Sequence, residues 1–330
     1  MKNEAIPKIN TYIKDGLEFV EITNNVGMVT TFTSLGGTLY SVEYLGEYMT
    51  MQAKNTQDFL RVFNGKTVGR VAGRIPDATF KIGKKTYKLE ANEGKNTLHG
   101  GFNSLSRRVF AQRVFNTTEH VHVVYTYFSK AGEAGFPGNG LFEAHYIISN
   151  NKPKIKLKLL SYVTEKCPVS LTNHAYFCLG EPNLNNTSLK IRASKFIEMN
   201  NKDLTLVREK EVPSYLDFRN GKKVMKDMAN KAIHDGKLNG YDHYFIFDEV
   251  GEEIPQVIME NNKFKMTIYT DFDAVVVYTD NYDAHFEACN SDENIHRGIA
   301  IEPQLNPLKG VILNRGDEFD HFIRYEFAKK

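Results

Sequence analysis

An antiparallel all-β architecture is what this sequence predicts, and three observations carry the prediction. Apolar residues recur mainly at every second position, helical spacing is confined to one short stretch, and turn residues separate the alternating runs. Strands follow strands without the helical segments that parallel crossovers need. In chain order the runs fall at 28–32, 80–82 with 87–89, 121–128, 154–159, 189–193, 264–270, 274–278 and 319–327. The run at 154–159 is the clearest, because Lys154, Lys156 and Lys158 alternate with Ile155, Leu157 and Leu159, giving one wet and one buried face. Val224, Met228 and Ala232 give the only helix-like spacing, predicting a short helix over 222–234.

A length of 330 residues suggests two domains on size alone. No Pro, Gly or Ser linker divides the chain and the charge does not shift between halves, so a single domain over 1–330 is expected. Forty-two basic and 40 acidic residues leave a net charge of +2, scattered along the chain, which argues against a nucleic-acid partner. The apolar run 274–278 is far too short to cross a bilayer, and the first residues lack the apolar core of a secretory signal, so no membrane association and a cytoplasmic location are expected. Cys167, Cys178 and Cys289 form no Cys-x-x-Cys pair, which argues against a disulfide framework or a structural zinc site. With 22 Phe, 17 Tyr and no Trp, any flat apolar surface for a ligand must come from Phe, Tyr or His.

Polar residues embedded in strand-like stretches are the informative ones, since burying an ionisable group is costly unless it is paired or used. Arg74 follows small residues in Gly69-Arg70-Val71-Ala72-Gly73-Arg74, a segment that reads either as a close-approach site or as a turn with a surface arginine. His99 precedes Gly100 and Gly101 in a segment that begins at Asn92, where side-chain bulk has been cleared. His174 interrupts a run otherwise suited to a core strand, and is read either as a core histidine or as a site residue. Glu302 ends an apolar strand before Pro303, expected to stop the ladder, so its carboxylate is partly desolvated and suited to general-base work. Asp242 sits between Tyr241 and His243, and residues 132–140 read as a long turn. No metal site is expected, since His120 and His122 lack a third candidate nearby and read as a solvent-facing pair. Serine elbows and dinucleotide turns are likewise absent, so the candidate residues point to cofactor-free proton transfer.

Taken together, these segments resemble the aldose 1-epimerase (galactose mutarotase) family over nearly the whole chain. The markers are Leu35-Gly36-Gly37-Thr38-Leu39, the Gly-Arg-x-Ala-Gly-Arg-Ile ending at Ile75, the Asn-x-Gly-x-Asn-x-Leu-His-Gly-Gly ending at Gly101, and Gly135-Phe136-Pro137-Gly138. Leu171 to Phe177, Gly240 to His243, and Ile301-Glu302-Pro303-Gln304 complete them in order. The resemblance implies a large antiparallel β-sandwich with an open sugar cleft on one sheet. It implies Glu302 as catalytic base, His174 as catalytic acid and His99 as a second active-site histidine. Arg74, Asp242, Asn92 and Tyr278 are implied as sugar contacts, with no cofactor and a monomer or homodimer. The implied reaction interconverts the α- and β-anomers of a free aldohexose; the alternatives are a hexose-6-phosphate 1-epimerase, with Arg70, Arg107 and Arg108 as candidate rim cations, or a non-catalytic sugar-binding protein of the same fold. The sequence departs from the pattern at Gly73, Cys178 and Asp280, where many members carry Asn, Asn and Gly, and at Pro303, which stands for a threonine.

Overall fold

The computed structural model describes residues 7–53, 55–236, 238–282, 286–287 (backbone only) and 295–330. Cys289 lies outside the described residues. Antiparallel strands dominate. Five of them, beginning with Lys8–Lys14, form an N-terminal meander, and a nine-stranded and a six-stranded sheet make up most of the rest. Each predicted run contains a strand; 121–128 lengthens to His120–Ser129 and 319–327 to Glu318–Lys329, while 87–89 and 189–193 overshoot strands that end at Lys88 and Ile191. In Lys154–Val163 the alternation is realised as expected, with Ile155, Leu157 and Leu159 fully buried and the lysines facing out toward water.

One hydrophobic cluster draws on the inner faces of all three sheets, from Val20, Phe32 and Val42 in the first, through Tyr146, Leu157 and Tyr325 in the second, to Phe245, Val277 and Ile301 in the third. Opposed apolar faces across packed sheets make a β-sandwich. Glu318–Lys329, although late in the chain, lies inside the nine-stranded sheet, paired on one edge with Lys154–Val163 and on the other with Phe264–Thr270.

Two local expectations are corrected. The stretch 222–234 is not an α-helix but two 3-10 turns, Val224–Asp227 and Lys231–Ile233, because the Asn230 side chain accepts from the Ala232 N–H and caps a new turn. The α-helix among the described residues is Thr56–Arg61, capped by Asn55 through the Asp58 N–H. None of the described helices is long and apolar enough to cross a membrane. Pro303 does not stop the ladder either. The strand Ile299–Gln304 continues through it opposite Val275, while the strand on its other edge, Tyr176–Phe177, pairs only as far as Ala300. A missing N–H is tolerated beside an edge without a partner strand.

Candidate active site

Three adjacent strands of the six-stranded sheet, Asp242–Ile246, Ala274–Tyr278 and Ile299–Gln304, build the floor of the site. Their register places Tyr244 opposite Val276 and Val276 opposite Glu302, with Asp242 opposite Tyr278 in the next row. Side chains alternate across a sheet. Phe245, Val275, Val277 and Ile301 therefore enter the core, while Asp242, Tyr244, Val276, Tyr278, Glu302 and Gln304 face a cavity of about 390 Å³. That volume is in the range of small-ligand sites.

The walls come from two short strand pairings. Arg74–Ile75 pairs with Thr97–Leu98, which sets His99 beside Gly73. The His99 N–H donates to the Gly73 carbonyl at 3.0 Å, and the Gly73 N–H donates back to His99 Nδ1 at 3.2 Å. Gly100, at φ +85°, lets this loop pass against the 69–74 segment, since a Cβ there would lie 2.1 Å from the Gly69 carbonyl oxygen. His174 follows the Thr172–Asn173 strand, paired with Thr67–Val68, and its own N–H donates to Lys66. Phe63 packs against both imidazoles, 4.8 Å from His99 and 5.9 Å from His174.

The reactive groups are deeply buried: Glu302 is 2% exposed, His174 5%, His99 8% and Asp242 8%. His174 Nε2 stands 3.4 Å from Glu302 Oε1, and Glu302 Oε2 has no hydrogen-bond partner among the described residues. Burial, reinforced by the nearby Asp242 carboxylate, pushes the Glu302 carboxyl well above the usual range, with the Arg74 guanidinium opposing it. Burial holds His174 down to about 4. His99 is held well below its ordinary value by burial and by the neighbouring His174 and Arg74. With its Nδ1 accepting from Gly73, neutral His99 carries its proton on Nε2.

Arg74 is bound to Glu93 through Nε at 2.7 Å and Nη2 at 2.9 Å, and its Nη2 lies 3.6 Å from Asp242. This fork fixes the guanidinium plane and leaves Nη1 for a ligand. Asp242 itself is raised by burial, against the pull of Arg74.

Six of the seven residues singled out from the sequence thus line one cavity: Arg74, His99, His174, Asp242, Tyr278 and Glu302. Asn92 is the correction. Its amide donates to the Leu98 carbonyl and its oxygen accepts from the Leu98 N–H, so the side chain is spent on holding the 92–98 loop, and it does not line the cavity. Sequence reasoning missed Glu93, Tyr244 and Gln304. The last two lie two positions beyond Asp242 and Glu302, where strand alternation puts them on the same face.

The candidate rim cations are elsewhere. Arg70 is buried and donates to the Pro137, Gly138, Ser129 and Lys130 carbonyls, which accounts for the Gly-Phe-Pro-Gly segment as the arginine's cradle. Arg107 donates to the Leu60 and Arg61 carbonyls, and Arg108 pairs with Glu133 at 3.0 Å. Donor atoms of His99, His174 and Glu302 lie within 4.8 Å of one another. The Nε2–H tautomer of His99 leaves it no cavity-side lone pair, so this trio is poorly suited to a metal. His122 is not simply solvent-facing: it is half-buried, stacks on Phe115 and places Nδ1 2.9 Å from His145 Nε2.

A family model described as aldose 1-epimerase matches residues 18–326. Among relatives, an aldose 1-epimerase of Escherichia coli K12 is 26% identical over 93% of this chain and 94% of its own length. A galactose mutarotase of Homo sapiens is 28% identical over 80% of this chain and 78% of its own. Among solved structures, a galactose 1-epimerase from Lactobacillus acidophilus superposes with a TM-score of 0.87 at 27% identity, covering 98% of this chain and 99% of that one.

Proposed function

Because this chain belongs to the aldose 1-epimerase family, we propose that it interconverts the α- and β-anomers of a free aldohexose, galactose or glucose, by acid/base-catalysed ring opening and reclosure. The observation that carries this reading is the buried Glu302–His174 pair, 3.4 Å apart where floor and wall of a sugar-sized cavity meet.

The reaction needs one proton removed from the anomeric hydroxyl and one delivered to the ring oxygen. The pair holds a single proton between its two members. With that proton on His174, Glu302 takes the O1 proton while His174 protonates O5; the C1–O5 bond breaks as the C1 aldehyde forms. Rotation about C1–C2 presents the other face of the aldehyde. On reclosure O5 attacks C1, its proton returns to His174, and Glu302 reprotonates O1, so atoms and charge balance. Burial disfavours the charge-separated form of the pair, and Arg74 is the cation that offsets this. His99, as an Nε2–H donor, positions a sugar oxygen and does not exchange a proton. Arg74 and Asp242 hold hydroxyls by charge-assisted bonds, keeping the reacting oxygens near the pair. Tyr278, with Tyr176 and Phe63, offers the aromatic surface for the sugar's C–H face.

A 6-phosphate fits poorly, since among the described residues Arg74 is the one cation lining the cavity and Glu93 already occupies its fork. Cys167 is a buried thiol that donates to the Pro168 carbonyl, and a reducing, cytoplasmic location is part of this reading. The deciding measurement is the optical rotation of freshly dissolved α-galactose and α-glucose. Catalytic amounts of protein should hasten its decay, and an unchanged spontaneous rate for both sugars overturns the proposal.

A further inference from the structure

We propose that Tyr244 is a specificity-determining residue of this site, its hydroxyl bonding a ring hydroxyl of the sugar other than the anomeric one. The inference rests on the aldose 1-epimerase reading and extends it to a residue that neither the sequence motifs nor the acid/base chemistry uses.

Three observations converge on this side chain. Tyr244 shares a sheet face with Asp242 and lines the cavity, yet Oη has no hydrogen-bond partner among the described residues. The residue is 3% exposed, yet its Oη is not sealed off from the cavity as the Tyr325 hydroxyl is sealed in the core, so it is a bare polar atom that a ligand hydroxyl can reach. Second, the backbone opposite is bare to admit it. At Gly73, φ +78°, a Cβ would fall 2.0 Å from Tyr244 Oη and 3.7 Å from Gln304 Oε1, so any side chain at 73 would compete with the hydroxyl for its place.

The third observation is register. Glu302 has to meet the anomeric hydroxyl, and Tyr244 stands in the same cross-strand row with Val276 between them. Two strand spacings separate their backbones by roughly 9.6 Å. Val276 offers no polar atom, so along this row the groups that recognise oxygen are Glu302 at one end and Tyr244 at the other. A hexose held by its C1 end at Glu302 extends its remaining hydroxyls toward Arg74, Asp242 and Tyr244.

The test is a cycle between an enzyme hydroxyl and a sugar hydroxyl. Mutarotation of galactose and of its 2-, 3-, 4- and 6-deoxy analogues is measured for the wild type and for Tyr244→Phe, with affinities checked by calorimetry. The variant is expected to raise KM for galactose about five- to ten-fold with kcat little changed, the size of one neutral hydrogen bond. For one deoxy sugar, the one lacking the partner hydroxyl, wild type and variant should have the same KM. Equal KM values for galactose in both proteins, or the same rise for every deoxy sugar, would overturn the assignment. If Tyr244→Phe is unstable, Gly73→Ala displaces the same hydroxyl and must single out the same deoxy sugar. A wild type that accelerates no aldose in the first place refutes the functional reading instead, and the two failures are told apart by that control.

Discussion

At the scale of single residues, the Glu302–His174 pair decides what the site can do. Replacing the carboxyl by an amide keeps its shape and removes its basicity. Glu302→Gln should therefore lower kcat by roughly 10²–10⁴-fold without a matching loss of stability; a variant that keeps most of its kcat in polarimetry places the base elsewhere. The pH dependence follows from the same pair. As pH falls through about 4, His174 gains a proton while the Glu302 carboxyl is already protonated, and the base function is lost. As pH rises through the raised value of Glu302, the pair loses its one proton and the acid function goes. The profile of kcat/KM should be bell-shaped, with its acid limb near pH 4 and its alkaline limb well above an ordinary carboxyl. An acid limb near 6.5 would show an imidazole titrating as if in water. These residues were legible in the sequence because each is a polar group set in an apolar or glycine-cleared run. Tyr244 and Gln304 were not singled out, although reading every second residue from Asp242 and Glu302 reaches both.

At the scale of elements, two close approaches hold the site together. Gly73→Ala places a methyl in a left-handed conformation and against Tyr244 Oη, costing about 1–3 kcal/mol. In a Tyr244→Phe background the nearest atom becomes Cζ at 3.3 Å, so the same substitution should cost at least about 1 kcal/mol less by urea unfolding. Strictly additive costs would mean that the two groups do not meet. Arg70 works differently. Arg70→Met strands several buried carbonyls of residues 129–138 and should destabilise the protein by at least about 3 kcal/mol. The folded fraction should keep near-native kcat/KM for galactose, because Arg70 does not reach the cavity; a large rise in KM with unchanged stability would make it a ligand contact after all. Runs of strand-forming residues were readable, the alternating 264–270 and the continuous apolar 274–278 to the residue. The apparent helix at 222–234 was not, because its three spaced residues fall on separate segments: Val224 lies in one 3-10 turn, Met228 just after it, and the half-buried Ala232 in the next turn, where Ile233 is the residue that enters the core. The six-residue helix Thr56–Arg61 buries only Phe59 and is too short to print a period.

At the scale of the whole molecule, alternation revealed the β class, and the ordered motifs revealed that residues far apart must converge. What no local pattern encodes is strand order, since pairing partners are chosen by faces that meet only in the packed molecule. Glu318–Lys329 is the sharpest case: nothing in its alternation says that it inserts between Lys154–Val163 and Phe264–Thr270 rather than adding to an edge. Its position has a consequence for biosynthesis. A ribosome must finish this strand before the sheet can close, and until then two long, largely apolar strands wait with open backbone donors and acceptors facing each other across a gap. Such edges invite pairing with other nascent chains. A chain ending at residue 317 should accumulate in the insoluble fraction, whereas supplying residues 318–330 in trans as a peptide during refolding should return part of it to solution; a soluble, cooperatively melting truncation would show that the gap closes without its strand.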